Sequence, residues 1–116
     1  SKNELQDFYH LALNLDLDVL VEVHNQKEVE TALDLKPKLI GINNRNLENF
    51  EVDIGTTIRL SEEIPKEVLT VSESGIKSSK DIKGLISCGI NVFLIGEALM
   101  RAENPGSELK NLFLYR

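Results

Sequence analysis

DVLVEVH, residues 18–24, decides the fold class, because it is a β-branched, apolar stretch of strand length with polar residues at its ends. Three later stretches share this character: LIGIN at 39–43, VLTVSE at 68–73 and NVFLI at 91–95. Their starts lie about 20 to 29 residues apart, which leaves room for a helix in each connection. The spacing therefore predicts parallel strands joined by helices.

Amphipathic segments between these strands predict the helices. Apolar residues at helical spacing, or capping residues followed by helix formers, place helices at 3–15, 26–35, 54–63, 79–88, 97–101 and from 105 onward. The predicted N-caps of the longer ones are Asn3, Asn25, Asp53, Ser78 and Asn104. Gly89 is a suitable left-handed residue for ending the fourth helix.

The order of segments is α-β-α-β-α-β-α-β-α, with no linker or low-complexity tract between them. Such alternation predicts an α/β fold of right-handed βαβ units, present as a single segment over residues 1–116. A complete (β/α)8 barrel takes about 250 residues, so 116 residues suffice for only part of one.

Composition excludes several classes of function. The net charge is −6 and the basic residues are scattered, which argues against binding to a nucleic-acid backbone. No apolar run is long enough for a membrane span, and no signal-peptide pattern is present. The single cysteine, Cys88, lies in the apolar run LISCGI and is expected to be a small buried residue. A chain without a disulfide favours a reducing compartment, and we expect a cytoplasmic location.

Polar residues gather at the carboxyl ends of the strands, where parallel α/β proteins bind their ligands. Glu22 and His24 end the first strand, Asn43 ends the second with Arg45 two residues later, and Glu73 ends the third. If the valines at alternate positions of the first strand pack against helices, Glu22 points to the opposite side. Convergence of several such groups is typical of an active site. His24 is more simply explained as a structural polar residue.

Two glycines extend this pattern. Gly75 and Gly96 follow the third and fourth strands, and Gly96 opens the short segment IGEALM. Glycine lets a ligand approach the backbone, and barrels often bind phosphate with loops after their last strands and a short extra helix. The sequence therefore predicts a phosphate seat made of backbone N–H groups at these two glycines. It contains no metal-ligand spacing, so we expect no metal.

Four stretches, LVEVHN, LIGINNRNL, TVSESGI and FLIGEALMRAENPG, resemble strands five to eight of indole-3-glycerol phosphate synthase in order and spacing. The resemblance covers nearly the whole chain, and its first helix is similar to the one after strand four. It implies that the chain is the C-terminal half of a TIM (β/α)8 barrel, with four parallel βα units preceded by one helix.

The family resemblance also implies an activity. Members are carboxy-lyases of tryptophan biosynthesis that close the indole ring of 1-(2-carboxyphenylamino)-1-deoxyribulose 5-phosphate with loss of carbon dioxide and water. They use no cofactor and no metal. The implied ligand is therefore a small sugar-phosphate substrate, with no nucleic acid and no membrane involved.

Matching the motifs by position assigns roles to eight residues of this chain. The implied catalytic residues are Glu22, Asn43, Glu73 and Ser74. Arg45 is the implied substrate-binding residue, and the phosphate seat comprises Gly75, Gly96 and Glu97. A hydroxyl residue would be a better phosphate donor than Glu97 at this position, so we expect only its backbone N–H to help, with its side chain turned away.

The same resemblance implies that the chain is inactive alone. The family draws a glutamate and a lysine from strand one and a lysine from strand three, and none has a counterpart here. We expect self-association, or pairing with the missing N-terminal half, because an open half-barrel exposes two sheet edges and an apolar face. Two rivals stay open: another phosphate-binding barrel, such as a phosphoribosylanthranilate isomerase, or a non-catalytic phosphate-binding and assembly module.

Overall fold

Helices and strands alternate throughout residues 1–114, the part of the chain that the structure, a computed structural model, describes. In chain order they are α1 (Lys2–Asn14), β1 (Val21–Val23), α2 (Gln26–Leu33), β2 (Leu39–Asn43), α3 (Gly55–Ser61), β3 (Leu69–Glu73), α4 (Ser79–Ser87), β4 (Val92–Leu94), α5 (Glu97–Arg101) and α6 (Pro105–Leu112). None of the helices in this range is long and apolar enough to cross a bilayer.

The four strands form one parallel sheet in the order β1-β2-β3-β4, so each strand lies beside the next one along the chain. All of their carboxyl ends consequently meet at one edge of the sheet. Asn43 is level with Glu73, and Glu73 is level with Leu94. This arrangement confirms the predicted α/β fold and the half-barrel order of its βα units.

The two faces of the sheet differ. One face carries the alternate residues Val23, Ile40 and Ile42, which are almost completely buried in a core with residues of α2 and α3. The other face leaves Leu69 and Leu94 about half exposed. Because the interior of a barrel is a packed core, this second face is the one that a complete barrel would cover.

Most of the predicted helix ends are confirmed. Asn25 accepts a hydrogen bond from the Glu28 N–H at 2.9 Å, and Asn104 accepts one from the Ser107 N–H at 3.0 Å. Ser78 and Asp81 form a capping box at the start of α4. Gly89, with φ +89°, has the left-handed conformation expected after α4.

Two predicted N-caps are wrong. Helix α1 is capped by Ser1 rather than Asn3, because Ser1 and Glu4 form a capping box that starts the helix two residues earlier. Helix α3 has Ile54 at its N-cap position, without a side-chain hydrogen bond. The Asp53 carboxylate still accepts from the Gly55 N–H at 2.8 Å, within the turn that precedes the helix.

Two predicted strands are shorter than expected. The stretches at 18–24 and 91–95 contribute only three residues each to the sheet, as β1 and β4. Both are edge strands, so each has a hydrogen-bonding partner on only one side within residues 1–114. The central strands, paired on both sides, extend over five residues each.

The prediction that Cys88 is buried is also wrong, since the thiol is exposed. The buried stripe of α4 is formed by Ile82 and Leu85, with Ile86 partly buried beside them. Cys88 occupies the C-cap position past the edge of that stripe. An apolar run in sequence therefore overstates burial at the last turn of this helix.

Candidate active site

Seven of the eight predicted site residues line one cavity of about 610 Å³ at the carboxyl edge of the sheet. They are Glu22, Arg45, Glu73, Ser74, Gly75, Gly96 and Glu97. The eighth, Asn43, lines an adjacent cavity together with His24, and Arg45 belongs to the walls of both. The sheet topology therefore brings the predicted residues together across residues 22 to 97.

Glu73 is the most unusual titratable group of this cavity. It is 5% exposed, and its Oε2 atom has no hydrogen-bond partner within residues 1–114. Burial away from water, and next the neighbouring Glu22 carboxylate, together raise the pKa of this carboxyl from its ordinary value of 4.5 to about 7, against a smaller opposing effect of His24. A carboxyl with such a pKa exchanges its proton readily near neutral pH.

Gly41 makes room for that carboxyl. A Cβ atom on Gly41 would lie 2.6 Å from Glu73 Oε2 and 3.1 Å from a methyl carbon of Leu20. A glycine inside a strand often marks such a close approach, so Gly41 within LIGIN is a sequence signal for this packing.

His24 links the first two strands. Its Nδ1 lies 3.0 Å from Glu28 Oε1, and its Nε2 lies 3.3 Å from Asn43 Nδ2. A neutral imidazole with its proton on Nδ1 can donate to Glu28 and accept from Asn43. The Glu22 carboxylate is 3.4 Å from the same Nε2 atom. In this tautomer Nε2 has no proton to donate to Glu22, so His24 holds Asn43 against Glu28 at the strand ends, which agrees with the structural role expected for it.

Arg45 is held across the sheet. Its guanidinium donates to Glu97 Oε2 at 3.2 Å and to the Phe50 carbonyl at 3.2 Å. Glu97 also pairs with Arg101 at 3.0 Å. The expectation that the Glu97 side chain turns away is wrong, because its carboxylate pairs with two arginines of the cavity wall. The Arg45 guanidinium, which the family resemblance assigns to substrate binding, is therefore paired with the Glu97 carboxylate in this structure.

Ser74 and Gly75 have consecutive left-handed backbones, with φ +69° and φ +76°. A Cβ on Gly75 would lie 2.0 Å from a methyl carbon of Val52, so both conformation and packing require glycine there. Gly96 differs, since its φ is −117° and no atom would lie within 4 Å of an added Cβ. Within residues 1–114 there is therefore open space beside Gly96, and neither the backbone conformation nor the packing requires glycine at this position.

A buried polar group beneath these residues was missed by the sequence analysis. Asn44, Thr57 and Ser72 are almost completely buried and hydrogen-bonded to one another. Their sequence positions gave no warning, because Thr57 resembles a helix-surface residue and Ser72 an ordinary alternating polar residue. Among residues 1–114, no three His, Cys, Asp or Glu side chains are grouped to hold a metal.

Solved structures show the same fold at low sequence identity. A protein in the BexX/CysO complex of Amycolatopsis orientalis superimposes with a TM-score of 0.68 at 15% identity, over 99% of this chain and 49% of that one. A mandelate oxidase mutant carrying an FMN adduct gives 0.66 at 16%, over 97% of this chain and 37% of that one. These likenesses extend to the fold alone.

Sequence relatives are much closer. The chain is 53% identical to an indole-3-glycerol phosphate synthase of Polaromonas naphthalenivorans over 89% of its own length and 39% of that protein. It is 52% identical to the enzyme of that name from Legionella pneumophila strain Paris, over 94% of this chain and 42% of the relative. The chain therefore spans about two fifths of the length of these curated relatives.

The parallel sheet of four βα units defines half of a (β/α)8-barrel protein, with a cavity lined by carboxylates and glycines at its carboxyl edge. The family profile described as indole-3-glycerol phosphate synthase matches residues 1–112. The chain belongs to the indole-3-glycerol phosphate synthase family. This decides against the phosphoribosylanthranilate isomerase considered from sequence.

Proposed function

We propose that this chain supplies the strand-five to strand-eight half of an indole-3-glycerol phosphate synthase active site. The reaction is the ring closure of 1-(2-carboxyphenylamino)-1-deoxyribulose 5-phosphate with loss of carbon dioxide and water, a carboxy-lyase step in cytoplasmic tryptophan biosynthesis. The observation that carries the proposal is the pair of carboxyls, Glu22 and Glu73, on the wall of one cavity with both glycines of the phosphate seat.

The carboxyl pair supports proton transfer. Loss of water needs a proton at the departing hydroxyl, and forming the aromatic ring needs a base that removes one. Glu22 faces the cavity and is the group that exchanges protons with substrate. Glu73 is about half protonated at neutral pH, because its pKa is about 7, and its protonated form avoids repulsion between the two neighbouring carboxyls. Asn43 and Arg45 orient the substrate, and Ser74 contacts it beside Glu73.

The phosphate seat comprises the backbone N–H groups of Gly75, Gly96 and Glu97. Gly75 and Gly96 are neighbours on the cavity wall because β3 and β4 are paired. The open space at Gly96 supports a close approach of phosphate to the backbone. The site needs no metal or cofactor in this proposal.

We further propose that the chain, as one half-barrel unit over residues 1–116, works only when its open face is covered. Leu69 and Leu94 on that face are about half exposed, and within residues 1–114 the outer edges of β1 and β4 have no strand partner. The cover is the missing N-terminal half, or a second copy in which β4 of each chain pairs with β1 of the other. Sedimentation tests this, and a monodisperse monomer at micromolar concentration would rule out the second arrangement.

Mixing the chain with a matching N-terminal half and assaying indole glycerol phosphate formation tests the activity. We expect turnover only in the mixture. In that mixture Glu22→Gln should lower kcat by about 10²- to 10⁴-fold, since it removes a general acid–base group. Glu30→Gln, an exposed residue of α2, is the matched control and should leave kcat unchanged. Unchanged turnover in Glu22→Gln would sink the catalytic role assigned to Glu22, whereas no turnover in a mixture whose halves associate would favour a non-catalytic binding module.

A further inference from the structure

The Asn44 side chain uses its full hydrogen-bonding capacity inside the protein. Its Nδ2 donates to Ser72 Oγ and to the Ser74 carbonyl, both at 3.0 Å. Its Oδ1 accepts from the Thr57 N–H at 3.1 Å and the Thr57 hydroxyl at 2.8 Å. A carboxamide has two N–H donors and two acceptor lone pairs, so all four positions are occupied and the amide orientation is fixed.

One of these bonds acts on a peptide of the proposed phosphate seat. The carbonyl of Ser74 and the N–H of Gly75 belong to the same peptide group, and no peptide bond of the described chain is cis. In a trans peptide the N–H points opposite to the C=O. With its carbonyl held by buried Asn44, this peptide directs the Gly75 N–H away from the core.

The peptide between Ser74 and Gly75 needs a stabilising contact from another part of the chain. A left-handed backbone costs about 1–2 kcal/mol for a residue other than glycine, and Ser74 has φ +69°. Within residues 1–114 no group accepts a hydrogen bond from the Gly75 N–H, while Gly75 lines the cavity. The donor is therefore free to meet an anion.

We propose that Asn44 is a positioning residue that presents the Gly75 N–H to a phosphate group by holding the other end of its peptide. This inference rests on the proposed function, because it assumes that Gly75 belongs to the phosphate seat. It also explains why an amide, rather than a hydroxyl or an apolar side chain, is buried between β2, α3 and β3.

Inorganic phosphate is the probe, and the amide shift of Gly75 in the 116-residue chain is the readout. Asn44→Asp keeps the shape and the acceptor for Thr57 but loses the donation to Ser74. We expect phosphate affinity to fall about tenfold, as the loss of one oriented hydrogen bond would give. Asn44→Ala should lower phosphate affinity by a similar factor, and it does so without introducing a buried carboxylate. Ser72→Ala, the matched control, removes one Asn44 contact and spares the Ser74 carbonyl, so affinity should stay within about twofold.

A measurement on the unmodified chain does not depend on the variants folding. Phosphate at the Gly75 N–H should polarise the peptide and shift the Asn44 Nδ2 protons with the same titration midpoint. Unshifted Nδ2 protons, or equal affinity losses in Ser72→Ala and Asn44→Asp, would overturn the positioning role alone. If the Gly75 amide of the unmodified chain does not respond to phosphate, the phosphate seat itself is wrong, and the role of Asn44 falls with it.

Discussion

Glu73 Oε2 occupies the space in which position 41 would carry a side chain, 2.6 Å from where a Cβ on Gly41 would lie. The relationship spans neighbouring strands, since Gly41 is on β2 and Glu73 on β3. The buried carboxyl and the missing side chain therefore form one structural unit, although 32 residues separate them in sequence.

Replacing Gly41 by alanine should force the Glu73 carboxyl out of its place. We expect Gly41→Ala to lower the free energy of unfolding by about 1–3 kcal/mol, as overpacking of a buried site does. Urea denaturation measures it. Gly84→Ala is the control, because an added Cβ there meets nothing within 4 Å and alanine favours the helix, so stability should hold or rise. Equal stability of Gly41→Ala and the unmodified chain would contradict this account.

The raised pKa of Glu73 predicts a dependence of stability on pH. Between its ordinary pKa of 4.5 and the folded value of about 7, the folded chain holds a proton that the unfolded chain has lost. Glu73 therefore makes the folded state progressively less stable as pH rises from 4.5 to about 7. Glu73→Gln should abolish this contribution and stabilise the chain above pH 7, by roughly 1 to 3 kcal/mol. Urea titrations at pH 5 and pH 8 test it, and identical pH slopes for both proteins would refute it.

The ion pair between Glu97 and Arg45 should limit phosphate binding. Replacing Glu97 by serine frees the guanidinium and removes a negative charge from the cavity wall, so we expect several-fold tighter binding of inorganic phosphate at low salt. Stability should change by less than about 1 kcal/mol, because the pair is solvent-exposed. Glu103→Ser gives the same change of net charge at an exposed residue outside the cavity. Equal effects of both substitutions on calorimetric phosphate affinity would assign the gain to net charge alone.

The exposed thiol of Cys88 should react in the folded state. We expect Ellman's reagent to modify it at a rate within about tenfold of a free thiol, since no burial shields it. The reaction should be complete without denaturant, and Cys88→Ser should show none. A thiol that reacts with the reagent only after urea unfolds the chain would instead support the buried position predicted from sequence.

Features that depend on a local sequence pattern could be predicted from the sequence. Ser78 and Asp81 form their capping box because both partners lie within one helical turn. Glu22 lies opposite Val21 and Val23 because side chains alternate along any strand. The roles of the site residues stay predictions, although the sheet brings seven of the eight to the wall of one cavity.

Features that depend on pairing between distant segments could not be predicted. Asn44 meets Thr57 and Ser72, which are 13 and 28 residues away in sequence, and nothing in their local pattern marks them as buried. The lengths of β1 and β4 depend on having a partner on one side only. A carboxylate cannot donate to phosphate, which predicts an outward Glu97, but its pairing with Arg45, 52 residues earlier, is a long-range contact that local pattern does not indicate.

The sequential strand order also bears on how fast the chain folds. The aligned pairs Val21 with Ile40, Asn43 with Glu73, and Val71 with Val92 close loops of 19, 30 and 21 residues. Loop-closure entropy grows only slowly with length, so the three pairings differ by less than about 0.5 kcal/mol in that cost. No single pairing is then the obligatory first step, and structure can grow from β2 and β3 toward either edge. Each strand added to this sheet therefore closes a loop no longer than one βα unit.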